Sequence, residues 1–476
     1  MRQFFVHSQR FTAAVATLAL LSACGGGGSS GSISSGGGGG TPAPTGTCSL
    51  SSRQAWVAQQ LNEWYLFPET LPTNLSATPY ATVQDYIDAL TATARAQSKD
   101  RYFTYITSIA EENAYYNSGS NAGFGVRLSV DSVARRLLIA EAFEGTPALT
   151  AGIDRGTEIL AIGTSSATLR NVSDIIASEG SAGITNALNG DTRAFRFRPL
   201  GGSEQTATIT RATYTLTPVS ARYGAKIIDD AGKKVGYINL RTFINTAESP
   251  LRSAFADFRA QGVSEVIIDL RYNGGGLVSI ATLINNLLAR DKTSGQVANY
   301  TTFRASKASN NETTVFSPQA QSITPTRIAF IGTGGSASAS ELVMNTFIPH
   351  LGNRAALIGT NTYGKPVGQI AVDRTACDDR LRVVAFATEN SARQGAYYTG
   401  LASFMGATCQ ASDDVTRPLG DPQEASIKTA LDFLAGRSCT PITASSMAGA
   451  RSSKGALELL SPARPSTAQR EVPGSF

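Results

Sequence analysis

The chain has 476 residues, long enough for two or three domains, and its 42% hydrophobic and 16% charged residues are those of an ordinary globular protein. A formal net charge of +5, spread along the chain, provides no basic face for nucleic acid. Two histidines, His7 and His350, exclude a His-rich metal site; with His7 near the start of the chain, only His350 is left as a base for a Ser-His-Asp triad.

In chain order, Arg2 and Arg10 precede the apolar run FTAAVATLALLSAC, which is too short to span a bilayer and reads as a secretory signal over residues 1–23. Leu21-Ser22-Ala23-Cys24 resembles the bacterial lipobox. That resemblance implies lipidation of Cys24, a lipid anchor in the membrane and a place in the bacterial cell envelope. Gly25 after it implies the outer membrane, facing the periplasm. Residues 24–47, rich in Gly and Ser, read as a flexible tether. Export permits disulfides. With Cys24 set aside, four cysteines allow three pairings. Cys377–Cys409, closing a local loop, and Cys48–Cys439, tying the ends of the folded part, are the pairs expected.

Residues 48–115 carry helical periodicity: Trp56, Val57, Leu61 and Trp64, then Val83, Ile87 and Leu90 behind the cap Thr82. This predicts a helical domain. Over 116–212 the period shifts to strands, in GFGVRLSV, RLLIAEAF and TEILAIG, with a short helix opened by Pro147 and closed by Gly152. The pattern resembles a PDZ domain. That implies a peptide site at Gly123-Phe124-Gly125-Val126, where backbone amides would meet a C-terminal carboxylate and the peptide would add a strand. Over 213–439 buried-type strands alternate with helices, which predicts a layered α/β core with a mixed sheet. Residues 440–476, rich in Pro and Ser, read as a mostly disordered tail. The whole is a multidomain α/β and α+β chain.

The chemistry centres on GGSASASE, Gly334–Glu341, between the strand RIAFIGT and the helix SELVMNTFI. Ser338 with Glu341 has the form of a capping box, so a helix cap is one reading. A helix start also gathers free N–H groups suited to a developing oxyanion, which makes Ser338 a candidate nucleophile and Ala339 N–H a donor. The glycine turn in DLRYNGGGL, Asn273-Gly274-Gly275-Gly276, would supply the second donor. The base must be His350 or a lysine. Lys365, in TYGKPVGQI, has no nearby acid in sequence, so burial could strip its charge. Gln369, four residues on, could orient it without recharging it.

DLRYNGGG, GSASASE and TYGKPVGQ, in this order and with this domain arrangement, resemble the C-terminal (tail-specific) processing serine peptidases. The resemblance covers about Ser52 to Leu434. It implies Ser338 as nucleophile, Lys365 as general base, Gln369 as its partner, Gly275 or Gly276 with Ala339 as oxyanion donors, and polypeptide substrates taken by their C-terminal tails. It implies no cofactor and no metal. A catalytically silent peptide-binding lipoprotein of the same fold is the alternative.

Overall fold

The computed structural model describes residues 46–443 and 457–476. The expected signal, Cys24 and nearly all of the 24–47 tether lie outside the described residues. Among the described residues no helix is long and apolar enough to cross a membrane.

The central layer is a six-stranded sheet in the order Ala225–Asp230, Lys233–Asn239, Glu265–Asp269, Arg327–Gly332, Ala355–Gly359, Ala407–Gln410. The first pair is antiparallel and the rest are parallel. Its inner strands are continuous apolar runs because helices cover both faces. Alternate residues serve the two faces: Ile268 and Phe330 pack under the helices Glu248–Ala260, Val278–Leu287 and Ala339–Leu351, while Ile267 and Ala329 pack against Ala425–Leu434.

A second sheet pairs Tyr105–Ser108, Asp379–Asn390, Val297–Phe303 and Glu312–Val315 in that order, with Val367–Arg374 hairpinned onto Asp379–Asn390. The helices Leu50–Trp64 and Val83–Leu90 form where periodicity predicts them, and Thr82 caps the second by accepting from Asp85 N–H. They enclose no core of their own. Val57, Leu61, Ile87 and Leu90 pack on Val367, Leu381, Val383 and Val384 of the hairpin, so residues 48–115 share a core with the second sheet.

The third sheet, seven-stranded, spans the 116–212 region and packs on the helix Val172–Leu188. The short helix Pro147–Thr150 opens at Pro147 as expected. One edge strand comes from elsewhere: Glu458–Leu459 pairs antiparallel with Val126–Asp131. Residues 457–476 therefore depart from the expected disorder. They form this strand and the helix Thr467–Glu471, with Val472 and Phe476 buried. Backbone pairing to a free sheet edge needs no periodic side-chain pattern, which is why composition misread the segment.

The disulfides also correct the expectation. Cys48 pairs with Cys377 and Cys409 with Cys439, not Cys377 with Cys409 or Cys48 with Cys439. The hairpin of Val367–Arg374 and Asp379–Asn390 carries Cys377, at its turn, to the start of the first helix. Cys409 lies on the edge strand that the helix Ala425–Leu434 covers before the chain reaches Cys439. Chain spacing cannot see either juxtaposition.

Candidate active site

The strand Arg327–Gly332 leaves the sheet through Thr333–Ala337 and enters the helix Ala339–Leu351 at Ser338. Ser338 has φ 54° and ψ −113°, a conformation that side-chain-bearing residues avoid and that costs about 1–3 kcal/mol. A sharp strand-to-helix turn of this kind holds a serine hydroxyl out from the backbone. The turn is held from both sides. Ser336 Oγ donates to Leu270 O (2.8 Å) and Ser340 Oγ donates to Asn273 O (2.9 Å), both serines fully buried. Ala337 N–H donates to the same Asn273 carbonyl (3.0 Å).

These bonds join the serine turn to the segment after Glu265–Asp269. That segment is anchored beneath by Arg271, whose Nε donates to Asp269 and whose two terminal nitrogens donate to Glu424, each at 2.9 Å. Asn273 Nδ2 donates to Leu240 O (2.8 Å), and its Oδ1 accepts from Gly275 N–H (2.9 Å). The Gly275 amide is thus engaged within its own turn. Gly275 is nonetheless required: a Cβ there would lie 2.9 Å from Ser338 Cβ, and φ is +121°. Gly276 turns toward Phe243, with which it bridges. The amide of this turn that donates outward is Gly274 N–H, to Glu471 O (2.9 Å). Ala339 is the first helical residue, so its N–H has no place in the helical ladder.

Lys365 sits in the loop between Ala355–Gly359 and Val367–Arg374. Its Nζ donates to Gln369 Oε1 (2.8 Å) and lies 5.0 Å from the centre of the Phe103 ring, while Gln369 Nε2 donates to Phe103 O (2.5 Å). Burial pushes the Lys365 ammonium below its ordinary value; Glu471 and Asp100 oppose this by favouring the charge, and Arg470 and Arg382 add to it. His350 is remote in role: its Nε2 lies 3.1 Å from Val297 O and its ring meets the Phe316 ring edge-on.

Glu341 ties the two halves together. Fully buried, its carboxylate accepts from Ser338 N–H (3.1 Å), Lys365 N–H (2.7 Å), Gly364 N–H (2.7 Å) and Thr362 Oγ1 (2.6 Å). Burial holds its pKa above the ordinary carboxylate value, and the four donors offset only part of that rise. Sequence reading saw only the helix-cap pattern here; the partners 21 to 24 residues away gave no local signal. The serine and lysine loops, with Tyr272 and Gly274, border a cleft of about 1740 Å³ that residues 457–473 also line.

The expected peptide stretch leads into the seven-stranded sheet: Gly123 ends the strand Ser120–Gly123, which pairs with Ala212–Thr215, and Val126 opens the strand Val126–Asp131. Gly125 has φ +84°, and a Cβ on Gly123 would lie 2.7 Å from the Phe476 carbonyl carbon. Phe124 is buried edge-on against Phe195. The amides of Gly125 and Val126 both donate to Phe476 O, at 2.9 and 3.3 Å. Among the described residues no group of His, Cys, Asp and Glu side chains could hold a metal.

Residues 234–392 match the model of peptidase family S41, a span that contains Ser338, Lys365, Gln369 and Gly274–Gly276 but not Gly123–Val126. A carboxyl-terminal-processing protease of Picosynechococcus is 28% identical over 249 residues, covering 52% of this chain and 55% of that one. A chloroplastic carboxyl-terminal-processing peptidase of Arabidopsis thaliana is 31% identical over 219 residues, covering 45% and 41%. The chain thus spans about half the length of these relatives. A Bacteroides fragilis crystal structure described as a candidate S41 protease shares the fold, with a TM-score of 0.61 at 22% identity over 80% of this chain and 97% of that one. What the chain shares with peptidase family S41 is the span 234–392, which holds the serine and lysine loops.

Proposed function

We propose that this chain is a serine endopeptidase that hydrolyses polypeptides of the cell envelope through an acyl-enzyme on Ser338. The observation that carries the reading is the pairing made by Glu341: a strained serine turn and a buried lysine loop, fixed by one carboxylate. Lys365, with its charge disfavoured by burial, takes the Ser338 hydroxyl proton as Oγ attacks the scissile carbonyl. Gln369 Oε1 accepts from the amine and returns no charge to it. The developing oxyanion meets Ala339 N–H and the Asn273–Gly276 turn, where Gly274 N–H points outward. Lys365 then passes the proton to the leaving amine, and water releases the acyl group.

Gly123–Val126 is the docking stretch for a substrate's C-terminal tail in this reading. Export and the lipid anchor at Cys24 rest on the N-terminal sequence. A fluorophosphonate or sulfonyl fluoride probe tests the chemistry. Wild type should be labelled at Ser338, Ser338→Ala should not, and Lys365→Ala should react at least a hundredfold more slowly. Labelling of Ser338→Ala at the wild-type rate, or none in folded wild type, would sink the proposal.

A further inference from the structure

We infer that the 457–476 segment is a resident ligand of the peptide groove and the cleft, which an incoming polypeptide has to displace. The inference rests on the peptidase reading for its functional consequence, though not for its geometry. The outer edge of the strand Val126–Asp131 is taken by two stretches of this one segment. Glu458–Leu459 pairs with Val130 and Ser129, and Leu460 N–H donates to Leu128 O. Further along the same edge, Leu128 N–H donates to Gly474 O (2.8 Å) and Phe476 N–H to Val126 O (2.9 Å). The Phe476 carbonyl sits on the Gly125 and Val126 amides, and its ring is buried with Phe124, Val126 and the rest of that sheet's core. This is strand addition with an apolar anchor, the way an extended peptide docks on a sheet edge.

Between these two stretches the segment crosses the reaction centre. Its Glu471 carbonyl accepts from Gly274 N–H, on the turn beside Ser338. At the end of the first stretch, Leu459 packs on Gly335 in the serine turn, where a Cβ would lie 2.7 Å from its side chain. Arg470 Nη1 donates to Tyr102 O (2.7 Å), and Pro473 O accepts from Arg127 (2.5 Å). A polypeptide could not reach both the Gly125–Val126 amides and Gly274 while these contacts stand.

The segment is also a poorly satisfied occupant. Glu471 is buried with one carboxyl oxygen bonded to the Tyr116 hydroxyl and the other without a partner, a costly arrangement for a permanent core element. Its charge favours the protonated Lys365, while Arg470 of the same segment disfavours it. Tethering compensates by giving the segment a millimolar effective concentration at the groove, so a free peptide competes at a disadvantage.

The test uses the full oxidised chain and a fluorescein-labelled peptide, TAQREVPGSF, with a free carboxylate, read by anisotropy. Phe476→Asp removes the anchor. Gly474→Ala strains a residue at φ +85° whose Cβ would lie 2.9 Å from Arg127 Cγ. Both variants should bind the peptide at least tenfold more tightly than wild type and react several-fold faster with the serine probe. Equal peptide affinity in wild type and either folded variant would overturn the inference. Tighter binding with no labelling in any protein would uphold it and reject the peptidase reading; unchanged binding with normal labelling of Ser338 would do the reverse. Should both variants unfold, hydrogen exchange on wild type decides. Saturating peptide should release the amides of 472–476 while Arg136–Ala142 stays protected, and no release would refute the displacement.

Discussion

Substitution of Glu341 tests whether the serine and lysine loops are one device. In Glu341→Gln the amide NH₂ must replace one carboxylate oxygen. Placed at Oε1 it keeps the Ser338 and Lys365 bonds, lets the Thr362 hydroxyl turn to accept, and leaves Gly364 N–H buried without a partner. One such orphan costs about 1–3 kcal/mol, and the surviving bonds lose their charge assistance, so a stability loss of about 2–3 kcal/mol follows. Glu341→Ala strands three N–H groups and a hydroxyl and opens a cavity, for a loss of about 4–5 kcal/mol. In this reading the kinetic loss is larger than stability alone explains. Freed from a common carboxylate, Ser338 and Lys365 shift relative to each other, and a displacement of about 1 Å costs on the order of a hundredfold in rate. Urea unfolding and probe labelling of Ser338, measured on folded protein at 25 °C, read the two effects separately. Folded Glu341→Ala that labels at the wild-type rate would refute the idea that this carboxylate aligns the pair, leaving it only a helix cap.

Three further outcomes are expected. Ser338→Gly should abolish labelling yet raise stability by about 1 kcal/mol, because glycine relieves a φ of 54° at a smaller cost in unfolded-chain entropy; a melting temperature below that of Ser338→Ala would contradict the strain. Peptide hydrolysis should rise with pH through the Lys365 transition, with its midpoint below the ordinary 10.5, since burial disfavours the ammonium. The sign for stability is the same: between the depressed folded value and 10.5 the unfolded chain binds more protons, so folding strengthens as pH rises there. Lys365→Met should lose that slope. Non-reducing peptide mapping should recover Cys48–Cys377 and Cys409–Cys439, and removing the second, which closes a separation of 30 residues, should cost about 3–4 kcal/mol. Recovery of a Cys377–Cys409 peptide would reject this placement of the hairpin turn beside the first helix.

How much of this was legible beforehand depended on whether a feature's partners were local. The strands Glu265–Asp269 and Arg327–Gly332 announced themselves as apolar runs because both faces of their sheet are covered. Ser338, Lys365 and Gln369 could be singled out because near-absence of histidine restricts the available bases, and the glycines around them mark turns. Glu341 was visible only as a cap, since Thr362, Gly364 and Lys365 reach it through a tertiary fold-back. The cysteines failed for the same reason, as topology decides which of four meet. The helices Leu50–Trp64 and Val83–Leu90 were placed correctly as elements. Periodicity gives the apolar face of a helix but not the surface that receives it, and here that surface is a hairpin far along the chain, a separation seen in the 329 residues between Cys48 and Cys377.

The same distinction bears on how the proposed site is kept quiet. Several influences act on Lys365: burial, Arg470 and Arg382 disfavour its charge, while Glu471 and Asp100 favour it. Glu471 and Arg470 both lie outside the span that matches family S41, and they pull in opposite directions. In the resting arrangement the segment acts at three points at once: on the Gly125–Val126 edge, at the outward Gly274 amide and on Gly335 of the serine turn. Displacement at any one loosens the others, because they are held by one short stretch of chain. Linkage makes the effect reciprocal: a polypeptide that binds the edge more tightly than Phe476 does must weaken the segment's hold on the cleft by the same free energy with which the segment opposed its binding. A substrate would then create access to the serine by docking, and the occupied groove, not the serine, would set the threshold for cleavage.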